Sequence, residues 1–397
     1  MEPARAAGCL RRNPPPHNRR PDPDETMTFP TSPPASPEHR LARIDAARRA
    51  VMQGDGAGRS AVEPWIEHSW RRCLDSGQRP EHKVAFDAVS GPLLRRTMEC
   101  NRNLIDAARP VLATLGRAIA STRYFAILTN AAGVVVDVNG PIDRTDRRAT
   151  LIARIGVDLS EASVGTTAIG AALIERRPVW LHRGEHFFND TSVYSCAGAP
   201  LFGPDGQCVG MLDLTGIDAV ERPELRHLVV RSARSIENAL TLRQPHRLLV
   251  RFNWPGSALG DESDGLIGLD ADGWVAGANP TAHQMVPQLG ALVRERIHSS
   301  DLFALPFEML FDAARRAAAP MELPLWSGLR LHALAQEAGA SPSGGRGTDP
   351  VPLKDVEITL IRKAVADAKG NVQQAARALG ISRATVYRKL GAGRAPR

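Results

Sequence analysis

Lysine is nearly missing from this 397-residue chain: of its 50 Lys and Arg, only Lys83, Lys354, Lys363, Lys369 and Lys389 are lysines. Beside abundant Ala, Gly and Pro, that bias looks like a GC-rich genome choosing Arg codons. The net charge of +7 and the pI near 9.5 are therefore weak evidence for an anionic partner. Cysteine is scarce as well. Cys9, Cys73, Cys100, Cys196 and Cys208 are odd in number and show no CxxC spacing, which argues against a disulfide framework or a zinc module. No apolar run is long enough to span a bilayer, and the Arg-bearing N-terminus has no apolar block of the kind a secretion signal needs. The expectation is a cytoplasmic, reduced protein with no membrane partner. Gly-Lys pairs are absent altogether, so the sequence contains no G-x4-G-K-[ST] loop to cradle nucleotide phosphates.

What is present is enough for two or three domains, with 43% hydrophobic residues to build their cores. The richest signal lies near the end, in NVQQAARALGISRATVYRKL from Asn371 to Leu390. Two helices packed at a steep angle need small residues where their backbones approach, and Ala375 and Ala376 supply them. Gly380 provides a turn residue tolerant of positive φ. Ser382 can cap the second helix, and Ile381, Val386 and Leu390 give it an inward apolar face. Upstream, Val356, Leu360, Ile361, Ala364, Val365 and Ala368 repeat at helical spacing until Gly370 and Asn371 end that helix and cap the next. Charge supports a DNA-binding role for these three helices. From Asn371 to Arg397 there are six Arg and Lys (Arg377, Arg383, Arg388, Lys389, Arg394, Arg397) and no Asp or Glu, the one-signed field that phosphate contacts require.

With its glycine-Asn start, Ala-Ala pair, Leu-Gly-Ile turn and Tyr-Arg-Lys-Leu ending, the segment from Leu353 resembles the Fis-type DNA-binding domain of bacterial enhancer-binding regulators. That resemblance implies roles residue by residue. Ser382 and Arg383 match positions at the front of the recognition helix that face base edges, and Arg suits guanine O6 and N7. Thr385, Tyr387, Arg388 and Lys389 lie around the rest of that helix, and Asn371 and Gln373 match positions near the phosphate backbone. Fis-type readers bind double-stranded DNA as twofold dimers, because one recognition helix covers only a half-site.

Ahead of this end, residues 1–37 are Pro- and Arg-rich without periodicity, which predicts disorder. Periodic sequence begins at Glu38, so Met27 stands as a candidate start. A helical lead-in over 38–100 carries Leu41, Ile44, Ala47 and Val51 on one face, then Trp65, Ile66 and Trp70. Over 101–243 the pattern predicts a helix (103–121) that Pro110 should bend or divide, and strands at 124–129 and 134–139. Next come a helix around 166–175, strands at 178–182, 196–202 and 207–215, and a closing helix at 223–242. The fold class expected is multidomain α+β, with an antiparallel sheet at the centre of this segment.

The motifs SWRRC (69–73), SVGTTAIGAAL (163–173), EHF (185–187) and SCAGAPLFGPDGQCVGMLDLTG (195–216) resemble the GAF sensor domain of the AcoR-like, acetoin-catabolism type of regulator. Such domains enclose a small-molecule pocket between sheet and loops. Here the resemblance makes Trp180, His182, His186, Phe188, Cys196 and Asp213 the candidate lining for an unidentified effector. His182, His186 and Cys196 have ligand-capable chemistry, yet H-x3-H with a distant Cys is not a diagnostic metal spacing, and neither metal nor other cofactor is expected. Some GAF proteins are sulfoxide reductases using cysteines, which Cys196 and Cys208 permit. A thiol beside Ala or Val in a strand is more often a small core residue, and the expectation is a protein that is not an enzyme.

Residues 250–337 resemble a PAS-like domain: GLIGLDADGWVAGANPTA (265–282) reads as two strands across a turn followed by a helix, with LFALPFEMLFDAARR (302–316) and LPLWSGLRLHALA (323–335) as its later part. Residues 338–352 form a linker ahead of the Fis-type helix-turn-helix at 353–397. In the family, an ATPase that remodels sigma-54 polymerase lies between sensor and DNA-binding end. With no Gly-Lys pair and only about 20 residues between the PAS-like unit and Val356, this sequence has no such motor. The reading is a sensor-coupled, sequence-specific DNA-binding regulator acting as a homodimer without ATP-driven remodelling. Its alternative is a sensory module working mainly through protein partners. On the exit helix, Leu225, Val229, Ser232, Ile236 and Leu240 recur at 3–4 spacing, fit either for a parallel dimer seam or for packing on the domain's own sheet.

Overall fold

The computed structural model describes residues 37–53, 62–316 and 320–338, and near the end Val365, 371–378, Ser382, Arg383, Thr385 and Val386. The N-terminal segment, most of the linker and most of the Fis-type stretch, including Ile381, Tyr387, Arg388, Lys389 and Leu390, lie outside the described residues. Two compact units meet in sequence between Glu63 and Pro64. The first contributes α1 (Pro37–Gln53). The second opens with α2 (Pro64–Asp75), α3 (Gly91–Cys100) and α4 (Arg102–Ala118).

Pro110 does not divide α4; division was one of the two outcomes the sequence offered, the other being a bend. Its ring lies on the exposed side of the helix, while Leu104, Ala108, Leu112 and Leu115 face the core. The backbone bond that proline forfeits is therefore on the solvent side, where water can take it up.

The strands that follow are β1 (Tyr124–Asn130) and β2 (Val135–Asn139). Three short helices come next: α5 (Arg147–Ile152), α6 (Glu161–Val164) and α7 (Ala168–Glu175). Then β3 (Val179–His182), β4 (Tyr194–Phe202) and β5 (Cys208–Ile217) complete a sheet of order β2-β1-β5-β4-β3, and α8 (Leu225–Leu242) closes the segment. Every pairing is antiparallel, with Cys196 opposite Thr215 and Gly198 opposite Asp213. Because side chains alternate across a strand, the sheet has two distinct faces. Leu128, Ala197, Leu201, Leu212 and Leu214 point to the layer of α4 and α8. The interleaved residues Cys196, Asp213 and Thr215 point the other way, under a cover made by α7 and its neighbouring loops.

The α8 stripe is taken up by this packing. Leu225, Val229, Ser232, Ile236 and Leu240 are all buried within the chain, and the four apolar ones belong to the core beneath α4 and the sheet. An apolar stripe at 3–4 spacing fits any apolar surface, and here the sheet occupies it. The dimer-seam reading of that stripe is therefore corrected.

A second antiparallel sheet follows: β6 (Leu248–Asn253), β7 (Gly265–Leu269), β8 (Val275–Ala278), β9 (Met321–Pro324) and β10 (Arg330–Glu337), in the order β8-β7-β6-β10-β9. Between β8 and β9 lie α9 (Pro280–Met285), α10 (Ser299–Leu302) and α11 (Glu308–Arg315), which fill the core on one side. The hairpin and following helix appear where the sequence predicts them. Strand β6 does not figure in the sequence pattern, although it occupies the centre of the sheet. Leu248, Leu249, Val250, Phe252 and Asn253 are all buried, so the strand lacks the alternation that marks a half-exposed one. Its one charged member, Arg251, is held by Asp264 at 3.1 Å.

Helix α8 also touches the second sheet. Asn238 on its outer side accepts from Asn279 Nδ2 at 2.7 Å and donates to the Glu262 carbonyl at 3.1 Å. The β4–β5 turn joins in, with Pro204 O accepting from Ala278 N at 2.8 Å. Near the C-terminal end, α12 (Val372–Ala378) packs Ala376 and Val372 against Val365 and Val386.

Candidate functional site

Two sites emerge, one on the inner face of the first sheet and one on the last helices. The first is a nearly filled cavity, open to a water-sized sphere over only about 10 Å³, room for about one water. Its walls are largely apolar, with Ile152, Leu159, Val164 and Ile169 from the cover. On its sheet side stand Cys196, Asp213 and Thr215.

Asp213 is wholly buried. Its Oδ2 accepts a short hydrogen bond from Thr215 Oγ1, and its Oδ1 has no hydrogen-bond partner. Burial pushes the carboxyl from its ordinary value near 3.8 up to about 7. The Thr215 hydroxyl also lies 3.6 Å from Cys196 Sγ, whose thiol is pushed well up by burial and then by the neighbouring Asp213. Of the other polar groups around the cavity, Thr167 Oγ1 accepts from Gly170 N at 3.2 Å and three more are turned to backbone carbonyls. Thr191 Oγ1 donates to Phe188 O at 3.0 Å and Tyr194 OH to Arg148 O at 3.3 Å. His186 Nδ1 donates to Arg183 O at 2.9 Å, since a carbonyl can only accept. Gly198, opposite Asp213, has no room for a side chain: a Cβ there would come within 2.7 Å of Met211 Cε and 3.1 Å of Ala168 O. Its small size lets α7 lie close on the sheet.

The SWRRC, SVGTT and EHF motifs meet in a clasp over this cover. Arg72 holds Glu161 bidentately at 2.7 and 2.9 Å, and Ser69 Oγ donates to the same carboxylate at 2.5 Å. Ser69 also bonds Thr166 at 2.7 Å, and the buried Trp70 donates Nε1–H to Glu185 O at 2.9 Å. Phe187 N closes the ring onto Thr166 O at 3.4 Å.

Of the six residues proposed to line the cavity, His186, Cys196 and Asp213 do so. Strand alternation places Trp180 and His182 elsewhere: Trp180 pairs with Ala197 and joins the core under α4 and α8, and His182, two residues on, shares that face with its ring stacked at 6.4 Å. His182 Nδ1 bonds Ser195 Oγ at 2.8 Å. Phe188 packs edge-on against Phe187 beside Gly165 rather than into the cavity. Thr215, which sequence reasoning missed, was legible by its place two residues after Asp213 on the same strand face. The two strand cysteines stand far apart. Cys208 pairs with Phe202, six residues along β4 from Cys196, which puts them about 20 Å apart by strand rise. No disulfide can form between them without rebuilding the sheet.

At the second site, Asn371 Oδ1 accepts from the backbone of Gln373 at 3.1 Å and of Gln374 at 3.2 Å, capping α12. Ser382 does the same for the next helix, accepting from Thr385 N at 3.1 Å while its hydroxyl meets that of Thr385 at 2.9 Å. Both caps leave their neighbours outward. Gln373 and Arg383 are exposed, Thr385 is half-buried, and Val386 is buried against Ala376. Among the described residues at the front of this helix, Arg383 carries the long exposed side chain.

Comparison with known proteins matches residues 43–238 to the family "MimR, N-terminal domain" and residues 352–392 to "Bacterial regulatory protein, Fis family". The acetoin catabolism regulatory protein of Cupriavidus necator is 29% identical over 285 residues, covering 70% of this chain and 42% of the relative. The propane 2-monooxygenase operon transcriptional activator MimR of Mycolicibacterium goodii is 29% identical over 177 residues, 43% of this chain and 29% of the relative. Among solved structures, the E. coli DhaR(N)-DhaL complex aligns at 16% identity and a TM-score of 0.42, covering 70% of this chain and 100% of that one. The chain spans less than half the length of these curated relatives. Residues 43–238 thus belong to the MimR N-terminal domain family and residues 352–392 to the Fis family of bacterial regulatory proteins, and the chain is similar in both parts to the AcoR-like and MimR-like transcriptional regulators.

Proposed function

We propose that this protein is a sequence-specific DNA-binding regulator whose first sheet segment, GAF-like in its motifs, senses a small organic effector. The carrying observation is Arg383, exposed directly after a capped helix start in a segment of the Fis family. A guanidinium there presents two parallel donors to guanine, while Gln373 and Asn371 lie at the start of the preceding helix, near the phosphate path. Tyr387, Arg388 and Lys389 would extend the same face. The protein works as a homodimer, since one such helix reads only a half-site.

The sequence holds no phosphate-cradling loop, so regulation proceeds by occupying DNA rather than by ATP-driven opening of sigma-54 promoters. Repression, recruitment of polymerase carrying another sigma factor, or competition with an intact relative for the same sites are the outcomes open to such a protein. The cysteine geometry gives no support to a dithiol reductase. A mobility shift on the DNA flanking its own gene tests the reading. Specific retardation that is indifferent to ATP supports it; an absolute need for ATP, or equal retardation of unrelated DNA, contradicts it.

A further inference from the structure

We propose that the turn between β4 and β5 and the imidazole of His283 form an acid-released latch, in which protonation of His283 unseats the turn from the second sheet and loosens the coupling of the two sheet segments. The latch goes beyond the regulator reading and does not depend on it. The turn sits on the corner where β8 passes into α9. Pro204 O accepts from Ala278 N at 2.8 Å, and Gly277 lies so close that a Cβ there would come within 2.7 Å of Pro204 Cβ. Gly206, at φ +80°, lies against the His283 ring: a Cβ on it would stand 3.1 Å from Cε1, 3.4 Å from Nε2 and 3.7 Å from Nδ1. His283 Nε2 is buried there with no hydrogen-bond partner.

A neutral imidazole suits that seat and a charged one does not. Whichever nitrogen holds the proton in the neutral ring, the imidazolium has an N–H at Nε2, facing Gly206 with no acceptor, and a charge drawn partly out of water. The charged group that faces the ring is Asp205 on the turn, whose Oδ1 is already spent on Gln207 N at 3.0 Å. Helix α9 has no other charged residue, and neither β7 nor the Pro287–Val293 turn, both packed on α9, has any. The other imidazole at this corner, His246, lies against Gly268 and donates Nδ1–H to Gln244 O at 2.7 Å. From α8, Glu237 holds the base of the turn through Phe202 N at 3.0 Å, and with its carboxyl pushed up to about 8 it stays mostly uncharged while an imidazole titrates. Burial draws His283 below its ordinary 6.5 against the weaker pull of Asp205. A histidine held low in the fold contributes its stability above 6.5 and loses it as pH falls through the lowered value, so the latch is closed at neutral pH and released in acid.

The test follows the Ala278 amide, donor of the bond to Pro204, by hydrogen exchange in the full chain, with protection taken relative to the intrinsic rate at each pH. From pH 7.5 to 5.5 the protection of Ala278 should fall roughly three- to tenfold while the β1 amides do not lose theirs; one pH unit below 6.5 sets the upper figure. His283→Gln, which keeps a polar group but takes no proton, should abolish the fall. Asp205→Asn removes the countercharge and should deepen it. The His283 ring resonance, identified by its loss in the His283→Gln protein, should titrate below 6.5. No fall in the wild-type chain, an equal fall in a folded His283→Gln protein, a shallower fall in Asp205→Asn, or ring titration at or above 6.5 overturns the proposal.

Discussion

Asp213 and Glu237 are carboxyls held where water does not reach. Burial pushes Asp213 from an ordinary value of 3.8 up to about 7 and Glu237 from 4.5 up to about 8. Glu237 accepts from Phe202 N at 3.0 Å, a bond that softens the burial effect without reversing it. In each case the folded state favours the proton more than the unfolded chain does. Their contribution to stability is therefore complete below pH 3.8 and 4.5 respectively, and is lost as pH rises through about 7 and 8. The melting temperature should fall between pH 6 and 8.5. Asp213→Asn should be stabilising relative to wild type at pH 8.5, on the order of 2–4 kcal/mol, with the gain vanishing near pH 4, as read by urea unfolding at the two pH values. A destabilised Asp213→Asn protein at pH 8.5 would mean that the carboxylate has a partner there. Sequence reading found Asp213 through its motif, but a strand pattern holds no information on whether a carboxyl's second oxygen is satisfied.

Most elements of the first sheet were legible because their apolar runs are set off by turn residues such as Pro204-Asp205-Gly206, and because α4 and α8 carry strong apolar stripes. What those stripes meet was not legible: α8's five-residue stripe fits a partner helix or a sheet equally, and only the fold shows the sheet taking it. Trp180 and His182 were candidate pocket residues through the resemblance to GAF sensor domains. Pairing with Ala197 and Ser195 turns them to the other face, a register that no local pattern reveals. The clasp is equally long-range, joining Ser69 to Glu161 across 92 positions. At this scale Trp70→Ala should cost about 3–5 kcal/mol, since a fully buried indole and its bond to Glu185 are both lost. Glu161→Ala should cost about 1–3 kcal/mol by freeing Ser69 and Arg72. Hydrogen exchange should accelerate over 163–190 in the Glu161 variant while the strands facing α8 stay protected; unchanged exchange there would show that the clasp does not hold the cover.

Across the whole molecule, α8 links the two sheets. Its inner side covers the strands whose other face carries Asp213, and its outer side bonds the second sheet through Asn238, with Pro204 adding a backbone contact. A shift of β4 and β5 therefore has a direct path to the second sheet. Asn238→Ala removes both side-chain bonds at that junction and should cost about 1–2 kcal/mol, separating the melting of the two sheet segments into two steps. A single coincident transition of the variant in near- and far-ultraviolet dichroism would show that the two segments stay coupled without these bonds. Among the described residues, no helix is long and apolar enough to cross a membrane.

The central claim is that the chain reads DNA through the helix that Ser382 starts. Fluorescence anisotropy of a labelled upstream fragment, titrated with wild-type and Arg383→Ala protein at several salt concentrations, tests it most directly. A lost base contact of about 1–3 kcal/mol predicts a roughly 5- to 150-fold weaker affinity for Arg383→Ala on the specific fragment, with little change on unrelated DNA. For wild-type protein, log affinity should fall linearly with log salt. Equal affinities of wild type and Arg383→Ala for the specific fragment, or binding insensitive to salt, would contradict the account.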